Sequence, residues 1–379
     1  MRTCPLCRHK AESTGISISE APLYHLLPKL QPTNPRLFGN IDLQWCEICD
    51  HYFNADGVPD ASPWFATNQS VSTTMTQRQK ELSRYLVGKN GSGVSVLDIG
   101  AGSGGYARSL LKMGCEVVVI EPNVDLSSLS DKCLVIKDVW PSDQISERTF
   151  DIILCIQVLE HMSDPLNSLR DMLRHINPDG LLYLELPSAD WILDHRALFD
   201  IHLQHQQYFT ENSVRRLVAE CGAEIADTRT LFGGRDIGFS IRLSQKIETF
   251  RSHGKSQLRS GGLLSALNYL LHCNDSEFAL YGVGAGSQAF LGWLPETLVV
   301  KAFDDTPGYW GNEMYSSKSR ISVLEPTAHQ LQHLDQVIIA SYLHDMTIAE
   351  RLLVGGYRGR IRTLRPPTAV TDGPPSILG

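Results

Sequence analysis

Asp98-Ile99-Gly100-Ala101-Gly102-Ser103-Gly104-Gly105-Tyr106 is the stretch on which the fold turns. A strand pattern, Val94 to Leu97, leads into it, and a helical pattern, Tyr106 to Met113, leads out. Glycines let the backbone turn tightly and approach a ligand, and the helix behind them presents N–H groups with no partner of their own. Such a loop suits a nucleotide-derived cofactor. The spacing Gly100-x-Gly102-x-x-Gly105 also satisfies the dinucleotide fingerprint, so the neighbouring residues have to decide which cofactor it takes.

Asp98 stands before the first glycine, at the carboxyl end of its strand. A carboxylate there repels a pyrophosphate and attracts a cationic sulfonium carrying an amino group, which favours S-adenosylmethionine over NAD. Glu121, followed by Pro122, ends the run Glu116 to Ile120, where a carboxylate accepts ribose hydroxyls. Asp138 closes Leu134 to Lys137 and suits an adenine amino group. Phe150 to Ile156 reads as a buried parallel strand leading to Gln157-Val158-Leu159-Glu160-His161. A turn, Asn177-Pro178-Asp179-Gly180, precedes the strand Leu181 to Leu186. The candidate cofactor set is Asp98, Gly100, Gly102, Gly104, Glu121, Pro122, Asp138 and Gln157. These segments in this order resemble a class I S-adenosylmethionine-dependent methyltransferase, which implies an α/β, Rossmann-like, doubly wound sheet.

Bulk properties fit a soluble enzyme of several domains. The chain has 379 residues, 42% hydrophobic and 20% charged. A net charge of −8 argues against a partner held mainly through phosphates, so nucleic acid is not expected. No apolar run reaches membrane-spanning length and no apolar signal stretch opens the chain, so no membrane contact and a cytoplasmic location are expected.

Four blocks follow from composition. Residues 1–62 are rich in Pro, Asn and Cys and need a staple to fold. Residues 75–245 alternate strands and helices and end in a hairpin, Glu224 to Thr230 with Ile237 to Leu243. Residues 246–275 form a helical connector, and residues 276–379 restart with the strand Phe278 to Gly282 as a C-terminal Rossmann-like domain. In the first block Cys4-Pro-Leu-Cys7 and Cys46-Glu-Ile-Cys49 form two C-x₂-C knuckles, which present four thiolates to a tetrahedral, structural Zn²⁺. His9 and His51 neighbour them as substitute ligands. The remaining five cysteines lie scattered in or near apolar segments as core residues.

Methyl transfer is an in-line displacement, so the protein mainly positions a nucleophile and supplies a base where one is needed. The candidates lie after strands: His161 after Phe150 to Ile156, and His205 in His202-Leu-Gln-His205-Gln-Gln-Tyr208-Phe209. His205, His202, Tyr208 and His161 form the catalytic set. Glu160 and His161 also read as cofactor-pocket packing, Tyr208 and Phe209 as an anchor for the next helix, and Trp191 as a pocket wall or lid residue.

Taken together, the cysteine knuckles, the Asp98 to Gly104 loop, His205-x-x-Tyr208-Phe209 and the C-terminal block beginning Tyr281-Gly-Val-Gly284-Ala-Gly286-Ser287 resemble the three-domain C-methyltransferases that act on dTDP-linked keto-deoxysugars. The resemblance implies an N-terminal zinc domain, a central methyltransferase core, a C-terminal Rossmann-like domain, and a nucleotide-sugar acceptor between them. In an NAD reading of the C-terminal block Asp304 would hold a ribose, but Ser287 replaces the third glycine, so a cofactor-free scaffold is expected. The family's base is a Glu-His pair; His205 matches its histidine, and Gln204 stands where its glutamate belongs. The family's tyrosine-rich stretch corresponds to Trp64-Phe65-Ala-Thr-Asn-Gln-Ser70-Val-Ser72, which has no tyrosine. A Gln amide and a Phe ring exchange no proton, so an acceptor needing less activation, such as an amine, an acidic carbon or a hydroxyl, also fits. The alternatives are an RNA methyltransferase gripping nucleic acid with the zinc module, and a non-catalytic S-adenosylmethionine-binding homologue.

Overall fold

Three β-sheets organise the computed structural model, which describes residues 2–363 apart from 24–37, 59–72, 123–125, 127–128, 130, 132, 245–257, 273–277, 285–286, 288, 292–298, 316–319 and 342–343. Trp64 to Ser72, Phe65 among them, lie outside the described residues, as do Cys273, Ala285 and Gly286. No helix among the described residues is long and apolar enough to cross a membrane.

The N-terminal sheet is an antiparallel meander of β1 (Glu12–Pro22), β2 (Phe38–Cys46) and β3 (His51–Asn54). Along β1 the buried residues Thr14, Ile16 and Ile18 alternate with exposed ones, the period-2 signature of a sheet with one face in the core. A chain so poor in helical periodicity folds as strands.

The central unit runs α1 (Thr73–Val87), β4 (Ser95–Ile99), α2 (Gly105–Lys112), β5 (Glu116–Ile120), β6 (Leu134–Ile136), β7 (Phe150–Ile156), α3 (Pro165–Arg174), β8 (Ile176–Pro187), α4 (Ala189–Asp194), β9 (Gln207–Tyr208), α5 (Glu211–Glu220), β10 (Ala223–Leu231) and β11 (Asp236–Leu243). Its seven-stranded sheet has the order β10-β11-β8-β7-β4-β5-β6. From β4 the chain winds outward through β5 and β6, then returns to place β7 on β4's other side, in parallel. That reversal creates a switch-point crevice outside the carboxyl ends of β4 and β7, where ligands bind in open α/β sheets.

Both faces of this sheet are covered, and successive residues divide between them. Leu97, Ile99, Val118, Ile120 and Ile153 belong to one core, with α3 and α5; Val96, Val117, Val119, Ile152 and Leu154 belong to the other, under α1 and α2. The alternation explains why the strands read as continuous apolar runs. Each fully buried aliphatic side chain contributes roughly 1.5–3 kcal/mol. The turn expected at Asn177 to Gly180 is instead a bulge inside β8. Register with β7 jumps from Phe150↔Ile176 to Ile152↔Leu181, and Asn177 Nδ2 donates to Asp151 Oδ1 at 2.7 Å, so the loop is taken up without breaking the strand. The hairpin β10–β11 forms as expected, antiparallel on β8.

One strand crosses the expected domain boundary. β9 pairs with β3 of the N-terminal sheet, Tyr52↔Tyr208 and Phe53↔Gln207, rather than with the central sheet. The histidine segment is therefore sewn to the cysteine-bearing unit.

The C-terminal sheet has six strands, including the parallel set β12 (Phe278–Tyr281), β13 (Val299–Phe303), β15 (Arg320–Leu324), β16 (Gln336–Ile339) and β17 (Arg360–Thr363), with β14 (Glu313–Tyr315) antiparallel at one edge. The described part of the connector is α6 (Gly261–His272) with the three residues before it. Ile16, Ile41 and Trp45, then Trp191, Leu198 and Leu203, then Leu263, Phe278 and Leu280 all lie in a single buried cluster. The three units share this core.

Candidate active site

Asp98 is fixed by position before any ligand enters. It lies on the Val96 face of β4 and is 3% exposed, at the mouth of the crevice. Its Oδ2 has no hydrogen-bond partner among the described residues. Burial pushes its carboxyl up to about 7, and the neighbouring Glu121 charge adds to that, against an opposing hydrogen bond from the Ala107 backbone. A buried carboxyl with an unpartnered oxygen is a place where a cation is favoured.

The glycine turn is built by close contacts. Gly100 has φ 67°, and a Cβ there would lie 2.5 Å from Val158 Cγ2; Gly104, capping α2, has φ 73°, and a Cβ there would lie 2.8 Å from Leu129 Cδ1. Glycine is required at both by conformation and by space. Gly102 N–H donates to Glu121 Oε2 at 2.8 Å, so Glu121 braces the loop from the end of β5, and Pro122 follows it. Asp138 accepts from Ser142 Oγ and the Val139 N–H, both at 2.8 Å, and those bonds hold it below the usual carboxylate range, the serine foremost. Gln157 ends β7 with φ 57°, a strained conformation for a side-chain-bearing residue, while its N–H donates to Glu185 O at 2.9 Å. All eight expected cofactor residues thus surround the carboxyl ends of β4, β5, β6 and β7.

The histidines converge. His161 and His205 ring centroids lie 5.0 Å apart, His202 and His205 3.9 Å, and His205 and Tyr208 6.0 Å. Burial above all, then the nearby His202, His161 and Arg235, holds His205 well below the ordinary imidazole range, and burial lowers His161 as well. Both are neutral at neutral pH, the form that accepts a proton or ligates a metal. Three hydrogen bonds lace the two loops together: His161 Nδ1 to Gln204 O at 2.8 Å, Gln206 N–H to Glu160 O at 2.9 Å, and Gln206 Nε2 to His161 O at 2.7 Å. Gln204 therefore contributes its backbone carbonyl here. Tyr208 is buried, donates its hydroxyl to His202 O at 3.2 Å and is pushed further above its ordinary range by burial. It holds the loop in shape, as Phe209, fully buried, does against His51 at 4.8 Å. Trp191 is 5% exposed and stacks on His195 at 4.5 Å, within the shared core.

The four cysteines cluster, all four sulfurs within 4.8 Å of one another and Cys7 and Cys46 3.6 Å apart. Sulfurs bound at about 2.3 Å around a tetrahedral ion stand about 3.8 Å apart, so the donor set fits Zn²⁺. His51 is not among these ligands; its Nε2 meets Gln207 Oε1 at 2.9 Å and links β3 to β9. Thr210 caps α5 by accepting from Ser213 N–H at 3.1 Å and donates to Asp50 O at 2.7 Å, a second tie between the cysteine unit and the site.

A buried charged network on β8 and its surroundings was not singled out from sequence. Arg78 of α1 pairs with the buried Glu185, whose other oxygen accepts from Tyr183 OH at 3.1 Å. Asp236, 8% exposed, is pushed up to about 7 by burial. The signal for Glu185 was present: a carboxylate inside the apolar run Leu181 to Leu186, near a strand's carboxyl end, as Asp98 is in β4. In the C-terminal loop, Asp304 accepts from Val283 N–H at 2.7 Å and Thr306 N–H at 2.8 Å, and Ser287 Oγ accepts from Gly284 N–H at 2.8 Å. Those amides are satisfied by the chain's own side chains.

Residues 72–228 match the family model for a methyltransferase domain. The ubiquinone biosynthesis O-methyltransferase of Aliivibrio fischeri (strain MJ11) is 27% identical over 133 residues, covering 32% of this chain and 57% of that one. The enzyme of the same name from Rhizobium rhizogenes (strain K84) is 33% identical over 100 residues, covering 24% and 40%. The chain spans about half the length of the curated relatives it matches. Among solved structures, the 1,6-didemethyltoxoflavin-N1-methyltransferase of Burkholderia thailandensis, with S-adenosylhomocysteine and its substrate bound, is 17% identical over 45% of this chain and 78% of its own, with a TM-score of 0.36. The central unit is a class I methyltransferase domain; the matched span leaves the four cysteines and the C-terminal sheet outside it.

Proposed function

We propose that this protein binds S-adenosylmethionine in the crevice at Asp98 and transfers its methyl group to a small-molecule acceptor, a nucleotide-linked sugar of specialised metabolism, held against the His161/His205 cluster. The single observation that carries the reading is Asp98: a buried carboxyl with an unpartnered oxygen, at the switch point of a methyltransferase domain whose neighbouring strand, β7, leads into the His161 turn.

When bound, the cofactor supplies an electrophilic methyl carbon. The chain's own residues do the rest. Asp98 meets the cofactor's cationic end, Glu121 its ribose hydroxyls, and Asp138 its adenine amino group. Gln157, directly after β7 in its strained conformation, stands at the crevice end of that strand. His205, neutral because it is buried, takes the acceptor's proton, with His161 and His202 as neighbours; Tyr208 and Gln204 hold the loop that carries it. The nucleotide-sugar class is supported by the three-unit resemblance and by the packing of Leu198 and Leu203, next to the histidine loop, with the C-terminal sheet. C-methylation remains the form that the resemblance implies, while a hydroxyl or amine acceptor needs only the His205 imidazole.

Formation of S-adenosylhomocysteine tests the proposal. Product with nucleotide-sugar pools but not with RNA supports it, RNA-dependent product overturns the acceptor class, and no product with either, despite cofactor binding, overturns transfer itself. His205→Gln should lower turnover about a hundredfold or more while cofactor affinity stays unchanged.

A further inference from the structure

Glu160, His161 and His205 each offer a ligand atom within 4.8 Å of the other two. Glu160 is 1% exposed, and both of its carboxyl oxygens lack a hydrogen-bond partner among the described residues. So does His205 Nδ1. A buried carboxylate without donors is destabilised by several kcal/mol, so the surroundings call for a proton or a cation at that point.

The geometry favours a cation. His161 Nδ1 faces the Gln204 carbonyl, which only accepts, so Nδ1 carries the hydrogen and Nε2 presents its lone pair. That lone pair faces Glu160 Oε1 at 4.0 Å. A proton on Glu160 does not bridge such a gap, which exceeds hydrogen-bond length. A metal ion would: two ligands of a tetrahedral zinc-sized ion, each about 2.1 Å from it, stand about 3.4 Å apart, so this pair would close by about 0.6 Å around it. The trio's ligand atoms all lie within 4.8 Å of one another, so side-chain adjustments of at most about 1.4 Å would bring them to that spacing. The three hydrogen bonds between the Glu160-His161 turn and the 202–207 loop hold the ligands in place from outside, as ordered metal sites require.

We infer that Glu160, His161 and His205 bind a divalent transition-metal ion, a second site separate from the four cysteines. Two imidazoles and one carboxylate select zinc-like ions over Mg²⁺, which prefers oxygen ligands alone. His161 is the most accessible of the three, with its side chain 24% exposed, which gives an ion a route in. The inference rests on the reading of this cluster as the acceptor site and changes one role within it: an ion there would orient the acceptor's oxygen and lower its pKa, His205 would hold the ion instead of taking the proton, and His202, its ring centroid 3.9 Å from that of His205, would be the imidazole beside the released proton.

Cobalt(II) titration of the purified full-length protein, with absorption spectroscopy and metal analysis, tests this directly. The wild type should bind two ions, one with the intense sulfur-to-metal band of a four-thiolate site and one with only weak visible bands. Glu160→Gln should keep the thiolate band and the cofactor affinity while weakening the second site a hundredfold or more, and His205→Ala should do the same. A wild type that binds one ion, or a Glu160→Gln variant that still binds two, overturns the inference. S-Adenosylhomocysteine production with a single bound ion overturns the metal and leaves the transferase reading standing; two ions without methyl transfer to any acceptor does the reverse.

Discussion

Asp98→Asn should stabilise the empty protein and weaken its cofactor binding, two effects of opposite sign from one group. A carboxyl that titrates at about 7 in the folded chain, against an ordinary 3.8, destabilises the folded state by about 4 kcal/mol once it is ionised. For a raised carboxyl the penalty is absent below pH 3.8, grows as pH rises, and is complete above about 7. The Asn amide has the same shape and no charge, but burying it costs about 1–2 kcal/mol of its own. Denaturant melts at pH 8 should therefore show a net gain of about 2–3 kcal/mol, vanishing near pH 5. Cofactor affinity should fall roughly 10- to 100-fold, since a bond to a charged partner contributes about 1.5–3 kcal/mol. The wild type should bind most tightly above pH 7 and lose up to about tenfold per unit below it, because the cationic ligand holds Asp98 ionised. Calorimetry across that range measures all of this. An Asn variant less stable than wild type at pH 8, or one with unchanged cofactor affinity, refutes the placement of Asp98 as an unsatisfied buried carboxyl awaiting a cation.

Cys46→Ser should lose one metal ion per chain by elemental analysis and, through β3 and β9, raise hydrogen exchange across residues 202–209; protection there unchanged after metal loss would contradict the coupling. Gly100→Ala should destabilise by about 1–3 kcal/mol, and adding Val158→Ala should recover only part of it, since the smaller neighbour removes the 2.5 Å contact but not the φ of 67°. Full recovery in thermal melts would mean that backbone strain is negligible at this turn. Thr210→Val should cost about 1–2 kcal/mol by uncapping α5 and releasing Asp50 O; a melt within 0.5 kcal/mol of wild type, in the terms of a small surface change, would count against that tie.

Much of the site was legible because it is local. Gly100 and Gly104 are needed by their own dihedrals, and Asp98 and Glu121 stand at strand ends as expected, so short-range patterns carry their placement. The hairpin β10–β11 and the paired knuckles were readable for the same reason. The turn at Asn177 to Gly180 misled because turn residues also suit a bulge, and only pairing with β7 shows which one forms. Arg78 and Glu185 were missed because α1 and β8 are 107 positions apart at that ion pair, and no local pattern joins them. Gln204 invited a side-chain comparison with a glutamate, yet its backbone carbonyl is what meets His161.

The sequence by itself determined most of the strand and helix order of the central unit, the glycine turn after β4 and the set of four cysteines, since each depends on dihedral preference, hydrophobic period or residue spacing within a few tens of residues. The tertiary structure alone decided that β9 pairs with β3, that three units share one core, and that Glu160 comes within 4.0 Å of His161 Nε2 and near His205. The physical reason is that a strand's partner and a side chain's burial are set by the whole packed chain, and burial is what leaves Asp98 and Glu160 as carboxyls with unpartnered oxygens.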